Sequence, residues 1–202
     1  MEPESDWRDG FLFLGNQLSL DFLNTRPEVD GQPVELLPDA GALLRWLTAA
    51  ELLSKRKAGE MGKTWAPGNA EGQMRGLHEF REAYRKIILE REAGRSLTPG
   101  SLSYLNGLLR EHCFTDQVIR DDSGVLKRRR LFEPRRPLDA LGPIVDAAVQ
   151  LLVEGDPARI RKCDRCVLHF ADTSKKGTRR WCSMEICGNR AKVAAYARRQ
   201  RG

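Results

Sequence analysis

A chain of 202 residues, 41% hydrophobic and 31% charged, has room for a real core and is too apolar for a disordered segment, but it is too short for two large domains. The formal charge of +6 is unevenly spread: residues 159–202 carry 13 Lys and Arg against Asp164, Asp172 and Glu185, or +10, and residues 1–158 carry 21 against 25, or −4. A basic end of this kind suits a polyanion, with nucleic acid the leading candidate and anionic lipid or an acidic protein the other chemistries. The opening "MEPESDWRDG" lacks the basic and apolar regions of an export signal. The densest apolar run, "FLFLGNQLSLDFL", falls short of the roughly 20 residues that cross a bilayer. The expectation is a cytoplasmic chain without a membrane partner, in which clustered cysteines are metal ligands rather than disulfides.

In chain order, "FLFLGNQLSLDFLNTR" is apolar with a turn signal at Gly15 and Asn16, and strand or helix stays open there. Pro38 and Asp39 start a helix with an apolar face of Leu43, Leu44, Trp46, Leu47, Leu52 and Leu53. The polar, Gly-rich "KRKAGEMGKTWAPGNAEG" reads as a loop. Between about 69 and 94, Met74, Leu77, Phe80, Tyr84, Ile87 and Ile88 recur at helical steps of three and four. Thr98 caps and Pro99 opens the next helix, with Leu102, Leu105, Leu108 and Leu109 inward and an end near His112. "DDSG" separates two short apolar segments and predicts a β-hairpin, in which Arg128, Arg129 and Arg130 serve either as edge protection or as a weaker basic patch. Pro137 opens a helix through Leu151 and Leu152 that "EGDP" breaks. Cys113 is read as a small core residue.

The last segment holds four of the five cysteines. Cys163 and Cys166 form C-x2-C, fifteen residues follow, and Cys182 and Cys187 form C-x4-C. Two close pairs at this separation predict one tetrahedral site, with a small hairpin over 167–181 between the knuckles. Four thiolates are soft ligands that favour zinc, with iron the alternative on sulfur chemistry alone. A complete sulfur set fills the tetrahedron, so one structural zinc per chain is expected, with no open catalytic position. His169 is read as an exposed strand histidine outside the ligand set. Metal binding would offset the small number of large apolar residues in this segment, because it couples directly to folding.

After Cys187, "GNRAKVAAYARRQRG" reads as an alanine-rich helix started by Gly188 or Asn189. Arg190, Lys192, Arg198 and Arg199 on this thin helix can reach phosphates or base edges, and Lys175, Lys176, Arg179 and Arg180 can hold a backbone from the other side. No nucleophile, acid–base pair or phosphate loop stands out, so an enzyme is not expected.

"CDRCVLHFADTSKKGTRRWCSMEICGNRAKVAAYARR" resembles the CGNR zinc finger, whose motif here is Cys187, Gly188, Asn189 and Arg190. "LGNQLSLDFLNTR" with the helical remainder resembles the ABATE domain that often precedes that finger. The resemblance implies Cys163, Cys166, Cys182 and Cys187 as zinc ligands, and a bacterial stress-related transcription regulator as the function. Asn189 and Arg190 carry over as motif residues without an assigned role; on physical grounds Asn189 can cap the helix, and Arg190 can contact phosphate or brace the zinc knuckle. Asp21, Asn24 and Thr25 in the first motif serve either as local caps or as the lining of a ligand pocket.

The expected architecture is α+β: a mainly helical N-terminal domain with a β-hairpin over residues 1–158, then a treble-clef-like zinc finger over 159–202. The expected function is DNA-binding regulation, with duplex DNA as partner and an N-terminal domain that senses a small-molecule effector or forms a homodimer. The alternative is an RNA-associated or protein-interaction module without sequence-specific DNA binding.

Overall fold

A computed structural model describes residues 6–65, 67–111 and 115–201, with the side chains at 67–69, 115, 129, 130, 198 and 201 outside that description. Cys113 and His112 fall outside it too. The chain opens with a hairpin of β1 (Trp7–Arg8) and β2 (Phe11–Leu12), then turns into α1 (Leu18–Leu23). The open question over this run resolves as strand, turn and helix. Asn16 takes a left-handed backbone with φ +56, and a Cβ on Gly15 would lie 2.7 Å from that of Leu20, so only glycine fits where the chain folds back on α1. The side chain of Gln17 caps α1 by accepting from the Ser19 amide. A second small hairpin, β3 (Glu28–Val29) and β4 (Gln32–Pro33), follows.

Asp39 accepts from the Ala42 amide at 2.8 Å and starts α2 (Ala40–Ala49). The segment expected as a loop is instead α3 (Lys55–Thr64), followed directly by the start of α4 (Pro67–Glu92). Ser54 caps α3, an Arg56–Glu60 pair braces it one turn on, and it packs against α2 although none of its residues is fully buried. With no buried stripe it carries no apolar period, and its two interior glycines read as turn signals. Thr98 caps α5 (Pro99–Glu111) by accepting from the Ser101 amide. Leu105 is buried on that helix, whereas Leu102, expected inward, is exposed.

The predicted hairpin is β5 (Thr115–Arg120) and β6 (Leu126–Leu131), antiparallel, with Asp121 accepting from the Ser123 and Val125 amides in the turn. Arg128 pairs with Asp116 across it. Pro137 opens a short 3-10 turn that runs into α6 (Leu141–Glu154).

The main core joins α1, α2, α4 and α6 around Phe22, Trp46, Phe80 and Tyr84. Phe22 meets Trp46 edge-on at 5.6 Å, and Phe80 stacks on Tyr84 at 5.7 Å. The buried Arg81 is bound to Glu35 and donates to the Thr25 hydroxyl at 2.8 Å, so its charge is paired as burial demands.

The C-terminal part consists of β7 (Ile160–Lys162), β8 (His169–Ala171), a π-helical turn over Met184–Gly188 and α7 (Asn189–Arg201). β7 pairs antiparallel with β8, Lys162 opposite His169, so the first cysteine pair lies on the turn of this hairpin. The hairpin expected over 167–181 is therefore displaced toward the N-terminus. The reason is the knuckle, which closes through the Cys163 amide on the Leu168 carbonyl at 2.8 Å and zips the strands on either side of itself.

Candidate metal centre and its seam with the helical domain

The four cysteines reach one point from three places in the chain. Cys163 and Cys166 come from the β7–β8 turn, Cys182 from the loop after β8, and Cys187 from the π-helical turn that leads into α7. Their sulfurs all lie within 4.8 Å of one another, with Cys166 and Cys182 at 3.6 Å. Zn–S bonds of about 2.3 Å in a tetrahedron place sulfurs about 3.8 Å apart, so the set fits one zinc ion. Ser183 accepts from the Glu185 amide and caps the turn that carries Cys187.

Hydrogen bonds from Cys166 and Cys182 hold Cys163 far below the ordinary thiol range. The bond to Cys163 pushes Cys166 up to about 12, and the bonds to Cys163 and Cys166 push Cys182 up as well. Four adjacent thiolates repel, and a dication removes that repulsion. The centre is able to bind one zinc ion, and with all four positions of the tetrahedron taken by protein sulfurs that ion's role is structural.

The centre does not stand apart from the helical domain. Leu12 and Leu14 pack with Leu168, Phe170 and the cysteines, while Phe11 joins the main core and Phe13 stacks on Trp46. Alternate residues of "FLFL" thus face two different cores. Four further bonds fasten the same seam. The Ala171 amide donates to the Gly15 carbonyl at 2.8 Å, and the Asn16 side chain donates to the Ala171 carbonyl at 2.9 Å. Asn24 grips the His169 backbone from both ends, donating to its carbonyl at 2.8 Å and accepting from its amide at 2.9 Å.

Residues 16–155 match the family profile of ABATE, described as "putative stress-induced transcription regulator", and residues 159–200 match the CGNR zinc finger. The chain belongs to the ABATE family. No curated protein matches its sequence.

In the ABATE domain, the three polar residues of "LDFLNT" are occupied within the protein. Asp21 accepts from the Gly15 amide at 2.7 Å and holds the turn that meets β8. Burial, its largest influence, raises its pKa from 3.8 to about 7, against the lowering effect of the Gly15 bond and of Arg8. Asn24 is the clamp on His169, and the Thr25 hydroxyl donates to the Phe22 carbonyl while accepting from Arg81.

His169, expected on the surface, is buried with its ring 2% exposed. It lies outside the cysteine cluster, and its strand is pressed against α1.

The cations of the finger divide into two groups. Arg179 donates to the carbonyls of Trp181 and Cys182, and its guanidinium lies 4.4 Å over the Phe170 ring. Arg180 pairs with Asp164 at 2.7 Å, and Arg159 donates to the Asp172 and Ser174 carbonyls. Among the described residues Lys162, Arg165, Lys175, Lys176, Arg190, Lys192 and Arg199 are exposed, and no internal partner occupies their charges; Lys162 lies on β7 against the helical domain, apart from the others. Arg190, Lys192 and Arg199 lie on α7; Lys175 and Lys176 lie on the loop after β8. The Arg198 side chain is outside the described set. Asn189 has helical backbone angles, and the helical stretch is capped by Ser183 instead.

Two features escaped the sequence reading. The "FLFL" run carried a signal, since an unbroken apolar stretch marks a segment covered on both faces. The bracing role of Arg179 carried none, because a basic residue in a basic segment looks the same whether it faces solvent or a carbonyl.

Proposed function

We propose that the protein is a transcription regulator that binds duplex DNA through its zinc finger, with the ABATE domain as the sensing half, and that it is not an enzyme. The observation that carries this reading is the set of exposed, internally unpartnered cations on one small module, Arg165, Lys175, Lys176, Arg190, Lys192 and Arg199. Cations without internal partners are free to displace counterions from a phosphate backbone. Ala191, Ala194, Ala195 and Ala197 keep α7 narrow enough to approach a groove. Arg179 and Arg180 support the scaffold in this reading, so the contact set is smaller than the segment's charge suggests. The family's description as a stress-induced transcription regulator supports the same conclusion.

The test is selection of the zinc-loaded chain on randomised duplex DNA with a structured RNA competitor. Enrichment of a duplex sequence is the expected outcome. Equal retention of every polyanion, or preferential retention of the RNA, would overturn it.

A further inference from the structure

A cavity of about 240 Å³ opens on the seam between the two parts of the chain. Arg26, Arg85 and Glu28 line it from the ABATE side, Lys162 and His169 from the finger, so three fixed cations face one carboxylate. Pro33, Leu89 and Val167 supply its apolar wall. The cations are short of countercharge. Among the described residues Glu82 is the one ion-pair partner of both Arg26, at 3.1 Å, and Arg85, at 3.4 Å, and Arg81 approaches it at 3.7 Å as well. Burial, then the neighbouring Arg81 and Arg26, lower the pKa of Arg85 against the opposing pull of Glu82. Lys162 has no ion-pair partner among the described residues.

His169 gives the second observation. Neither nitrogen of its buried ring has a hydrogen-bond partner, and Glu92 lies 3.5 Å from Nε2 without forming one. A buried polar group left without a partner is uncommon in a folded chain. Both nitrogens are shielded, so the residue borders the cavity through its other atoms and serves as a reporter of occupancy beside the three cations.

We propose that this cavity binds a small organic carboxylate with an apolar body, held by Arg26, Arg85 and Lys162 and touching His169. The size agrees, since a cavity of about 150 Å³ already takes benzene, and drug-sized ligands need upward of about 300 Å³. Ligand atoms would touch both the ABATE domain and β8 of the finger, so binding strengthens the seam. The proposal deepens the sensing half of the function above and rests on that half alone, since its test contains no nucleic acid.

The experiment is a titration of the zinc-loaded full chain, labelled at its three histidines, with sodium benzoate followed by imidazole NMR. Benzoate should shift the His169 ring resonances saturably, and neutral benzamide should not. Arg26→Gln and Lys162→Gln, both on partly or fully exposed side chains, should each weaken benzoate by roughly tenfold, the size of one charge-assisted hydrogen bond. No saturable shift, an equal response to benzamide, or unchanged affinity in both variants would overturn the site. Inorganic phosphate binding as tightly as benzoate would overturn the carboxylate assignment. Failure of DNA binding with a normal benzoate response would remove the finger's role and leave the cavity's.

Discussion

The ABATE domain and the finger solve the folding problem with different means. The first buries Trp46, Phe22, Phe80, Tyr84 and the leucines of four helices in one continuous core. The second has Leu168, Phe170 and four cysteines of its own, and completes its cluster with Leu12 and Leu14 from the first. Burial alone sustains a domain of the larger size, while a segment as small as the finger needs a metal. The borrowed leucines add a further lesson: the finger is finished by the domain that precedes it, so the state of the zinc site and the state of the ABATE surface are linked.

The strongest way to break the comparison is to remove the zinc. Chelation, or Cys182→Ser, should abolish metal uptake and the protease resistance of residues 159–201, since structural zinc contributes on the order of 10 kcal/mol to folding. Helical circular dichroism from the ABATE core should largely survive. Collapse of the whole helical signal would show that one core, not two, holds the molecule.

Asp21 gives the next largest effect. Its native pKa of about 7 lies above the ordinary 3.8, so the folded state is the better proton binder. The stability due to this group is complete below about pH 4 and is lost as pH rises through about 7, at most about 4 kcal/mol. Subtracting the Asp21→Asn profile from that of the wild type isolates this contribution from proton competition at the cysteines. A flat difference between pH 4 and 7 would contradict it.

Asn24→Ala sharpens the comparison at the seam. It leaves the buried amide and carbonyl of His169 without partners and should cost about 2–3 kcal/mol in the zinc-loaded chain, seen by thermal or denaturant unfolding. In chelated protein the cost should vanish, because the strand it grips has already come away.

Much of this was legible in the sequence wherever a local rule decided the outcome. Asp39 and Thr98 announce their helices by capping chemistry, the "DDSG" turn announces β5 and β6, and the cysteine spacing announces the zinc site before any coordinates. Helix α3 was not legible, because its stability comes from Ser54 and from packing on α2 rather than from a buried stripe. Neither was the burial of His169 or the work of Arg179. Those depend on residues 145 positions away in one case and on backbone carbonyls brought round by the zinc loop in the other. Spacing identifies ligands; it does not say which neighbouring charges the folded loop will consume.

The most direct test of the central claim is the salt dependence of duplex DNA binding by the zinc-loaded full chain. In the wild type, log K should fall linearly with log salt, and replacing Lys175, Lys176, Arg190 and Lys192 by Gln should make the slope shallower by about 0.9 for each residue that contacts a phosphate. Arg179→Gln should lower the melting temperature of the finger and leave the slope unchanged, since its guanidinium is spent on carbonyls and on Phe170. Binding without salt dependence, or a slope that the fourfold variant does not alter, would contradict the assignment of nucleic-acid contact to the exposed cations of the finger.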